Sequence, residues 1–192
     1  LLKDLNFELK PGRNVLVKGT SGSGKSTLLR AIAGIWPYAA GKVELPERER
    51  IMFIPQKPYL PLGTLRDALL YPGKRMKDDE ELKALMRLCS IESLADSLDV
   101  EADWSHVLSI GEQQRLAFVR TMIYEPEWLF LDEATSALDE ATEENMYSML
   151  RERLKKTTVV SVGHRSTLNK FHLLEIRLDK HLKQAVLQEI KA

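Results

Sequence analysis

The feature that most constrains the fold is a set of runs in which apolar residues stand on consecutive positions. These runs are NVLVKG (14–19), RIMFIPQ (50–56), WLFLDE (128–133) and TTVVSVGH (157–164). Consecutive apolar positions are typical of parallel strands that are covered on both faces. Open parallel sheets bind ligands at the carboxyl ends of their strands. The residues that end these runs are therefore candidate site residues, namely Gly19, Gln56, Asp132, Glu133 and His164.

Helical patterns fill much of the rest of the chain. A helix is predicted over 25–34, a second over 78–89 with a capping box from Asp78 to Glu81, and a third over 139–156. Between Gln56 and Glu125 the sequence favours helices and turns without a convincing buried strand. We therefore expect a single domain in which a helical subdomain, about 57–125, is inserted into an α/β core of residues 1–56 and 126–192.

Two shorter segments alternate between apolar and polar residues. They are NFEL (6–9) and GKVEL (41–45), and alternation is typical of strands with one exposed face. We expect them to form a flanking antiparallel sheet beside the parallel one.

Composition excludes several classes of function. The chain has 28 basic and 28 acidic residues among 192, so its net charge predicts no partnership with nucleic acid. Its single cysteine, Cys89, allows no internal disulfide and no cysteine cluster for zinc, and its spacing predicts a core thiol. The longest nearly apolar stretch is too short to span a bilayer. The chain begins at Leu1 rather than at a methionine, which favours a piece of a longer protein.

The stretch GTSGSGKST (19–27) begins at the end of the first run and matches the pattern G-x-x-x-x-G-K-[ST] in full. A curled glycine-rich backbone at a helix N-terminus points successive N–H groups inward, where they bind phosphate. A plain Gly/Ser turn is the alternative, and the flanking strand and helix disfavour it. Lys25 is expected to reach the β- and γ-phosphates, and the Ser26 hydroxyl to bind Mg²⁺. The predicted residues of this phosphate loop are Gly19, Thr20, Ser21, Gly22, Ser23, Gly24, Lys25, Ser26 and Thr27. The fold class predicted is α/β, a P-loop NTPase core with a parallel sheet.

Two adjacent carboxylates end the run WLFLDE. Asp132 is expected to hold Mg²⁺ through water, and Glu133 to act as the base that activates the attacking water. A solvated loop acid is the alternative for Glu133.

The segment VLSIGEQQR (107–115) carries a second pattern. Ser109 and Glu112 have the spacing of a capping box, which predicts a helix that runs through Leu116, Val119 and Ile123. A helix N-terminus with a hydroxyl and a glycine can also bind an anion. On spacing alone, an ordinary capped helix is the favoured interpretation.

Taken together, GTSGSGKS, LSIGEQQR, WLFLDE and SALD, with Gln56 and His164 at strand ends, resemble the nucleotide-binding domain of ABC transporters in order and spacing. The resemblance implies ATP and Mg²⁺ as cofactors, and a partner domain with which each ATP is bound head to tail. It implies that Ser109, Gly111 and Glu112 form a signature segment at the partner's γ-phosphate, and that Gln56 senses Mg²⁺ and the attacking water. It implies a γ-phosphate switch at His164 and a D-loop that crosses to the partner, formed by Ser136, Ala137, Leu138 and Asp139.

The resemblance also implies an ATPase motor, with two copies closing around two Mg·ATP. The expected partners are a second nucleotide-binding domain, in a homodimer, and a membrane domain fused upstream of Leu1, which places the chain at the cytoplasmic face of a membrane. GIWPYAAGKVELP, IPQKPYLPLGTLRDALLYP and LSIGEQQRLAFVR look most like the peroxisomal fatty-acyl transporter group and its bacterial relatives.

Two departures from the family pattern stand out. Ile110 and Glu112 occupy the third and fifth positions of a signature that usually reads L-S-G-G-Q. The family's adenine-stacking aromatic residue lies further upstream of the phosphate loop than this chain extends. The alternatives are a soluble ABC-type ATPase acting on ribosomes or DNA, and a P-loop kinase, which has no use for LSIGEQQR or His164.

Overall fold

The computed structural model describes residues 3, 5–38, 40–47, 50–73, 77–179 and 184–190. In these residues the strands are β1 (Val15–Gly19), β2 (Ile51–Ile54), β3 (Gly63–Thr64), β4 (Glu101–Ala102), β5 (Trp128–Asp132), β6 (Thr158–Val162), β7 (Leu174–Asp179) and β8 (Gln184–Glu189). The α-helices are α1 (Lys25–Ile32), α2 (Leu65–Leu70), α3 (Asp79–Leu88), α4 (Trp104–Val107), α5 (Ile110–Tyr124) and α6 (Glu140–Arg153). Short 3-10 helices lie at Glu92–Ser97 and Ser166–Phe171.

The chain divides into two compact units. The first contains Leu1–Pro55, Pro126–Glu133 and Lys155–Ala192, and the second contains Gln56–Glu125 and Ala134–Leu154. The helical subdomain of about 57–125 stays a prediction. The segment 134–154, which the sequence pattern assigns to the core, groups with the helices of the second unit.

The first unit is built on one sheet of six strands in the order β2-β5-β6-β1-β7-β8. Neighbouring strands are parallel except for β7 and β8, which are antiparallel. The register places Phe130 opposite Val160, and Val160 opposite Val15. All four apolar runs form strands of this sheet. The parallel sheet with an antiparallel edge confirms the predicted fold class.

Helix α1 packs against the sheet because its apolar residues lie on one face. Leu28 and Leu29 are buried there, in one cluster with Val15, Val17 and Phe130. Burial of a Leu or Phe side chain stabilises a fold by roughly 1.5–3 kcal/mol. The helix ends at Ile32, and Gly34 follows in the left-handed region at φ +73°, close to the predicted end.

The expected flanking strands at NFEL and GKVEL are wrong. Among the described residues, neither 6–9 nor 41–45 forms a strand, and the antiparallel part of the sheet is β7 with β8. Leu5, Phe7 and Leu9 nevertheless pack against the core, so the alternation correctly marks a half-buried face. Val43 and Leu45 stay exposed. Alternation reports which face is covered, whereas a strand also needs a neighbour to pair with.

Helix α5 lies at the centre of the second unit, where it packs against α2, α3 and α6. It is buried on several faces, and Leu116, Phe118 and Ile123 are almost inaccessible to solvent. A helix that is covered all round belongs to a core rather than to a surface. The second unit also holds a two-residue antiparallel pair, β3 with β4, which is too short to give a strand pattern in the sequence.

The other predicted helices form with small differences. The Asp78 carboxylate accepts a hydrogen bond from the N–H of Glu81, but the Glu81 carboxylate pairs with Lys77 at 3.2 Å instead of completing the predicted capping box. Cys89 caps the end of α3, and burial raises the pKa of its thiol to about 12. Its Sγ lies 3.9 Å from the Sδ of Met149 on α6, which confirms the predicted core thiol.

Candidate functional site

The phosphate loop connects β1 to α1 in the first unit. Gly19 has no room for a side chain, since a Cβ there would lie 2.6 Å from the Ser23 Oγ and 2.9 Å from the Leu178 carbonyl oxygen. Gly24 caps α1 in the left-handed conformation at φ +96°, which glycine adopts without strain. Because no side chain caps this helix, its first-turn N–H groups face the loop. The loop therefore has the backbone form of an anion nest.

Two side chains of the loop point into it. The ammonium of Lys25 donates hydrogen bonds of 3.1 Å to the carbonyl oxygens of Gly19 and Thr20, and Lys25 is only 6% exposed. The Oγ of Ser23 is buried and has no hydrogen-bond partner among the described residues. A buried hydroxyl without a protein partner is unusual, and it fits a loop whose polar groups are completed by a ligand.

Ser26 and Asp132 meet at the carboxyl ends of β1 and β5. The Ser26 hydroxyl donates to Oδ1 of Asp132 at 2.6 Å, and Arg30 lies 3.4 Å from Oδ2. Asp132 is only 2% exposed. A hydroxyl and a carboxylate are oxygen ligands of the kind that Mg²⁺ prefers, and Mg²⁺ usually adds waters and substrate phosphates. No group of three or more His, Cys, Asp or Glu side chains in the described ranges could hold a metal by itself.

Glu133 and His164 face each other beside this pair. Oε1 of Glu133 lies 3.1 Å from Nε2 of His164, and both side chains are partly exposed. Glu133 follows β5 in the left-handed region at φ +52°, and its N–H donates to the carbonyl of Val162 at 3.2 Å. Strands β5, β6 and β1 are neighbours and parallel, so their carboxyl ends place these groups at one edge of the sheet.

A buried polar cluster in the first unit was not anticipated. Lys18 lies 2.9 Å from Glu175 and donates to Asn169 at 2.7 Å. His172 contacts the Leu168 carbonyl and the Ser161 hydroxyl, and burial lowers its pKa to about 4. The cluster anchors the 3-10 helix that follows His164. A lysine inside an apolar run was the one signal in the sequence.

In the second unit, the signature segment begins α5. The Ser109 Oγ accepts from the N–H of Glu112 at 3.3 Å, and the Glu112 carboxylate accepts from the N–H and hydroxyl of Ser109 at 2.9 and 2.6 Å. The predicted capping box and helix are confirmed. The hydrogen bonds from Ser109 lower the pKa of Glu112, so its carboxyl is charged at neutral pH. Ile110 is half-exposed beside them.

The D-loop packs against the same helix end. A Cβ on Gly111 would meet the Ala137 carbonyl at 3.4 Å and a methyl carbon of Leu138 at 3.5 Å. Asp139 caps α6 by accepting from the N–H of Thr142 at 2.8 Å, and these hydrogen bonds lower its pKa. Helix α6 therefore starts at the position that the acidic residues of its predicted first turn indicated.

Two neighbouring glutamines of α5, both buried, were missed. Gln113 donates to the carbonyls of Ser105 and Leu108 at 2.9 Å each, so it fixes the turn that leads into the signature segment. Gln114 donates to the Gln56 carbonyl at 2.8 Å and to the Ser136 hydroxyl at 3.3 Å. On a sequence, two glutamines after a cap look like a solvated helix face.

Gln56 and the D-loop come together through this glutamine. Nε2 of Gln56 donates to the Ser136 Oγ at 3.3 Å, and the N–H of Ala137 donates to Oε1 of Gln114 at 3.0 Å. The structure thus gathers the predicted residues into two clusters. The first unit holds the phosphate loop with Asp132, Glu133 and His164, and the second holds Gln56 with the signature segment and the D-loop.

None of the helices in the part of the chain that the structure describes has both the length and the apolar composition to cross a bilayer.

Comparison with known proteins gives consistent matches. The family model for "ABC transporter" matches residues 2–136. An "Uncharacterized ABC transporter ATP-binding protein" of Haemophilus influenzae is 44% identical over 180 residues, which make up 93% of this chain and 30% of that protein. The human "ATP-binding cassette sub-family D member 3" is 38% identical over 190 residues, 93% of this chain and 28% of that protein.

A solved structure shares the fold. "Structure of a bacterial Atm1-family ABC exporter with ATP bound" superposes with a TM-score of 0.80 at 29% identity, over 93% of this chain and 34% of that one. The chain therefore spans about a third of the length of the proteins it matches.

Proposed function

The chain belongs to the ABC transporter family, and we propose that it is the motor of a transporter that closes head to tail with a second copy around two Mg·ATP. It is an ATP-binding domain, and ATP-binding domains of this family are ATPases. The predicted resemblance to sub-family D of the ABC transporters and to its bacterial relatives is confirmed. The relatives' names favour a transporter over the soluble alternative acting on ribosomes or DNA.

The observation that carries the proposal is the single sheet edge that joins the phosphate loop to the pairs Ser26–Asp132 and Glu133–His164. In the proposed complex, the loop N–H groups and Lys25 bind the β- and γ-phosphates. Lys25 exchanges its bonds to two loop carbonyls for bonds to phosphate oxygens. The nine residues of the phosphate loop are the proposed ATP contacts.

Mg²⁺ is the proposed metal. Ser26 would bind it directly and Asp132 through water, and Gln56 is a further proposed ligand. The Ser26 and Asp132 oxygens already lie 2.6 Å apart, which suits the donor chemistry. When bound, the ion would neutralise charge on the phosphate oxygens.

Glu133 is the proposed general base. It takes the proton of a water that attacks the γ-phosphate in line with the leaving oxygen. His164 contacts the carboxylate at 3.1 Å, so it orients Glu133 and is also proposed to contact the γ-phosphate as a switch. Gln56 is proposed to orient the attacking water.

The second copy is proposed to complete each site. The α5 N-terminus offers the first-turn N–H groups of Ile110 and Gly111, which have no intrahelical partner. The Ser109 hydroxyl would exchange its hydrogen bond to the Glu112 carboxylate for one to the ligand. These groups favour an anion, which in the proposed dimer is the partner's γ-phosphate. Residues 136–139 of the D-loop are proposed to cross to the other copy.

A membrane domain is the other proposed partner, expected on the same polypeptide ahead of the chain. The matched relatives are about three times longer than this chain and are named as transporters. Tyr59 and Leu62, which follow Gln56, are largely exposed apolar side chains and are the proposed contact. The chain would then work at the cytoplasmic face of a membrane.

The test is the substitution Glu133→Gln, with steady-state hydrolysis, calorimetric ATP binding and size exclusion as readouts. Turnover should fall by about a hundredfold or more, because a general base contributes about 10²–10⁴-fold. ATP affinity should remain, and an ATP-dependent dimer should accumulate. Glu8→Gln, an exposed carboxylate of the same unit, is the matched control. Unchanged hydrolysis in Glu133→Gln would falsify the base assignment, and a chain that stays monomeric with ATP would overturn the dimer.

A further inference from the structure

Gln114 has its polar groups directed at two other segments of the chain. It is wholly buried. Its Oε1 accepts from the N–H of Ala137 at 3.0 Å, and this bond turns Nε2 towards the Gln56 carbonyl at 2.8 Å and the Ser136 hydroxyl at 3.3 Å. The amide orientation is thereby fixed, since a backbone N–H requires the oxygen and a carbonyl requires the nitrogen.

The partners of Gln114 are distant in sequence. Gln56 lies 58 positions away, and Ser136 and Ala137 lie 22 and 23 positions away. Its neighbour Gln113 is equally buried, but its partners Ser105 and Leu108 are 8 and 5 positions away. Gln113 therefore shapes its own helix start, whereas Gln114 joins three segments.

Each joined segment carries a residue of the proposed machinery. The Ser136 hydroxyl accepts hydrogen bonds from both Gln56 and Gln114. The position of the Gln56 side chain therefore also depends on that of Gln114. A buried polar network of this kind has few alternative arrangements, because leaving any member unpaired is costly. Helix α5 itself begins with the signature segment.

We propose that Gln114 is a positioning residue, which sets the separation of Gln56, the D-loop and the signature segment, so that in the closed dimer Gln56 reaches the nucleotide of its own chain while the signature segment reaches that of the partner. This inference rests on the proposed function. Gln114 touches no nucleotide itself, and it acts through the Gln56 backbone and the Ser136–Ala137 segment.

The experiment uses Gln114→Met, which keeps the length of the side chain and removes all three hydrogen bonds. ATP binding to the monomer should be unchanged, because the phosphate loop lies in the other unit, and KM should change little. The kcat should fall by about ten- to hundredfold, the range expected when a buried partner is left unpaired. In the Glu133→Gln background, the ATP-dependent dimer should be lost or weakened to the same degree.

Two further variants keep the test decisive. Gln114→Glu retains an acceptor for Ala137 but cannot donate to the Gln56 carbonyl when ionised, so it should also lower kcat, and it replaces Gln114→Met if that variant does not fold. Thr121→Val is the matched control, because it removes a buried hydroxyl that bonds the Ala117 carbonyl of the same helix. It should leave kcat and the dimer unchanged.

The outcomes separate the two proposals. If the Glu133→Gln parent stays monomeric with ATP, the proposed function fails, and this inference fails with it. If the parent forms the dimer and both Gln114 variants form it as well with wild-type kcat, only the positioning role is overturned. If Thr121→Val lowered kcat as much as Gln114→Met, the effect of Gln114 would be one on general stability. That result would also overturn the positioning role.

Discussion

The two units place their candidate residues by different physical means. In the first unit, Asp132, Glu133 and His164 stand at the ends of parallel strands, and their positions depend on pairings between distant parts of the chain. In the second unit, Ser109 and Asp139 stand at helix starts that are defined within four residues by their own caps. Strand ends gather groups from several segments, whereas a helix start offers one compact surface.

This difference suggests that the two units have different functions in the proposed nucleotide site. The first cluster holds a lysine, the pair Ser26–Asp132 proposed for Mg²⁺, and a carboxylate–histidine pair, which together suit both binding and chemistry. The second cluster offers hydroxyl, amide and N–H groups that can recognise a charged phosphate, and its two carboxylates, Glu112 and Asp139, are engaged in helix caps. We therefore expect variants in the first unit to disturb ATP binding or the chemical step itself, and variants in the second to lower turnover through assembly of the dimer.

The largest effect is expected for Lys25→Ala. Its ammonium is the proposed charged contact to the phosphates, and a charge-assisted hydrogen bond is worth about 1.5–3 kcal/mol. ATP affinity should fall by about ten- to hundredfold or more, and the dimer and hydrolysis should fall with it. Calorimetry on the isolated chain measures this directly. Wild-type affinity would contradict the proposed role of the phosphate loop.

A second effect, confined to assembly, is expected for Ser109→Arg. The bulky side chain at the α5 N-terminus should block closure of the dimer, while the monomer binds ATP as before because the phosphate loop is untouched. Size exclusion with ATP, in the Glu133→Gln background, should show a monomer. Val107→Arg, at another exposed position two residues before Ser109, is the control for added charge. If Ser109→Arg formed the ATP-dependent dimer with wild-type affinity, the second unit would not be part of the proposed nucleotide site.

The smallest effect is expected for Glu112→Gln. The hydrogen bonds from Ser109 lower the pKa of Glu112 in the folded state, so the ionised carboxylate adds stability above its unfolded pKa, about 4.3, and loses it as pH falls through the folded value. Glutamine can still accept one bond, so the loss at pH 7 should be about 0.5 kcal/mol. Urea unfolding should show the stabilities of the two proteins converging as the pH falls below about 4.3. A difference that is constant with pH would rule out the charged cap.

Much of the first unit could be predicted because its signals are local. Four apolar runs marked four strands, and the parallel sheet then required that Gly19, Asp132 and His164 lie near its carboxyl edge. The family and its α/β fold were likewise predicted and are confirmed. The chemical roles of the site residues remain predictions.

Other features could not be predicted, because they depend on contacts with distant residues that no local sequence pattern identifies. The alternation in NFEL and GKVEL indicated a buried face but not a neighbouring strand, and the antiparallel edge came from β7 and β8 instead. Gln114 looked like a surface residue because its partners lie in segments that only the folded chain brings together. Lys18 gave a signal, a charge in an apolar run, but not its partner Glu175.

The left-handed backbone at Glu133 has a consequence for the choice of side chain at that position. Residues with a Cβ occupy this conformation at a cost of about 1–2 kcal/mol, and glycine or asparagine would hold it more easily. Backbone preference therefore does not account for a glutamate here. A glutamate at the end of β5 therefore carries a conformational cost, which fits its proposed role as the general base.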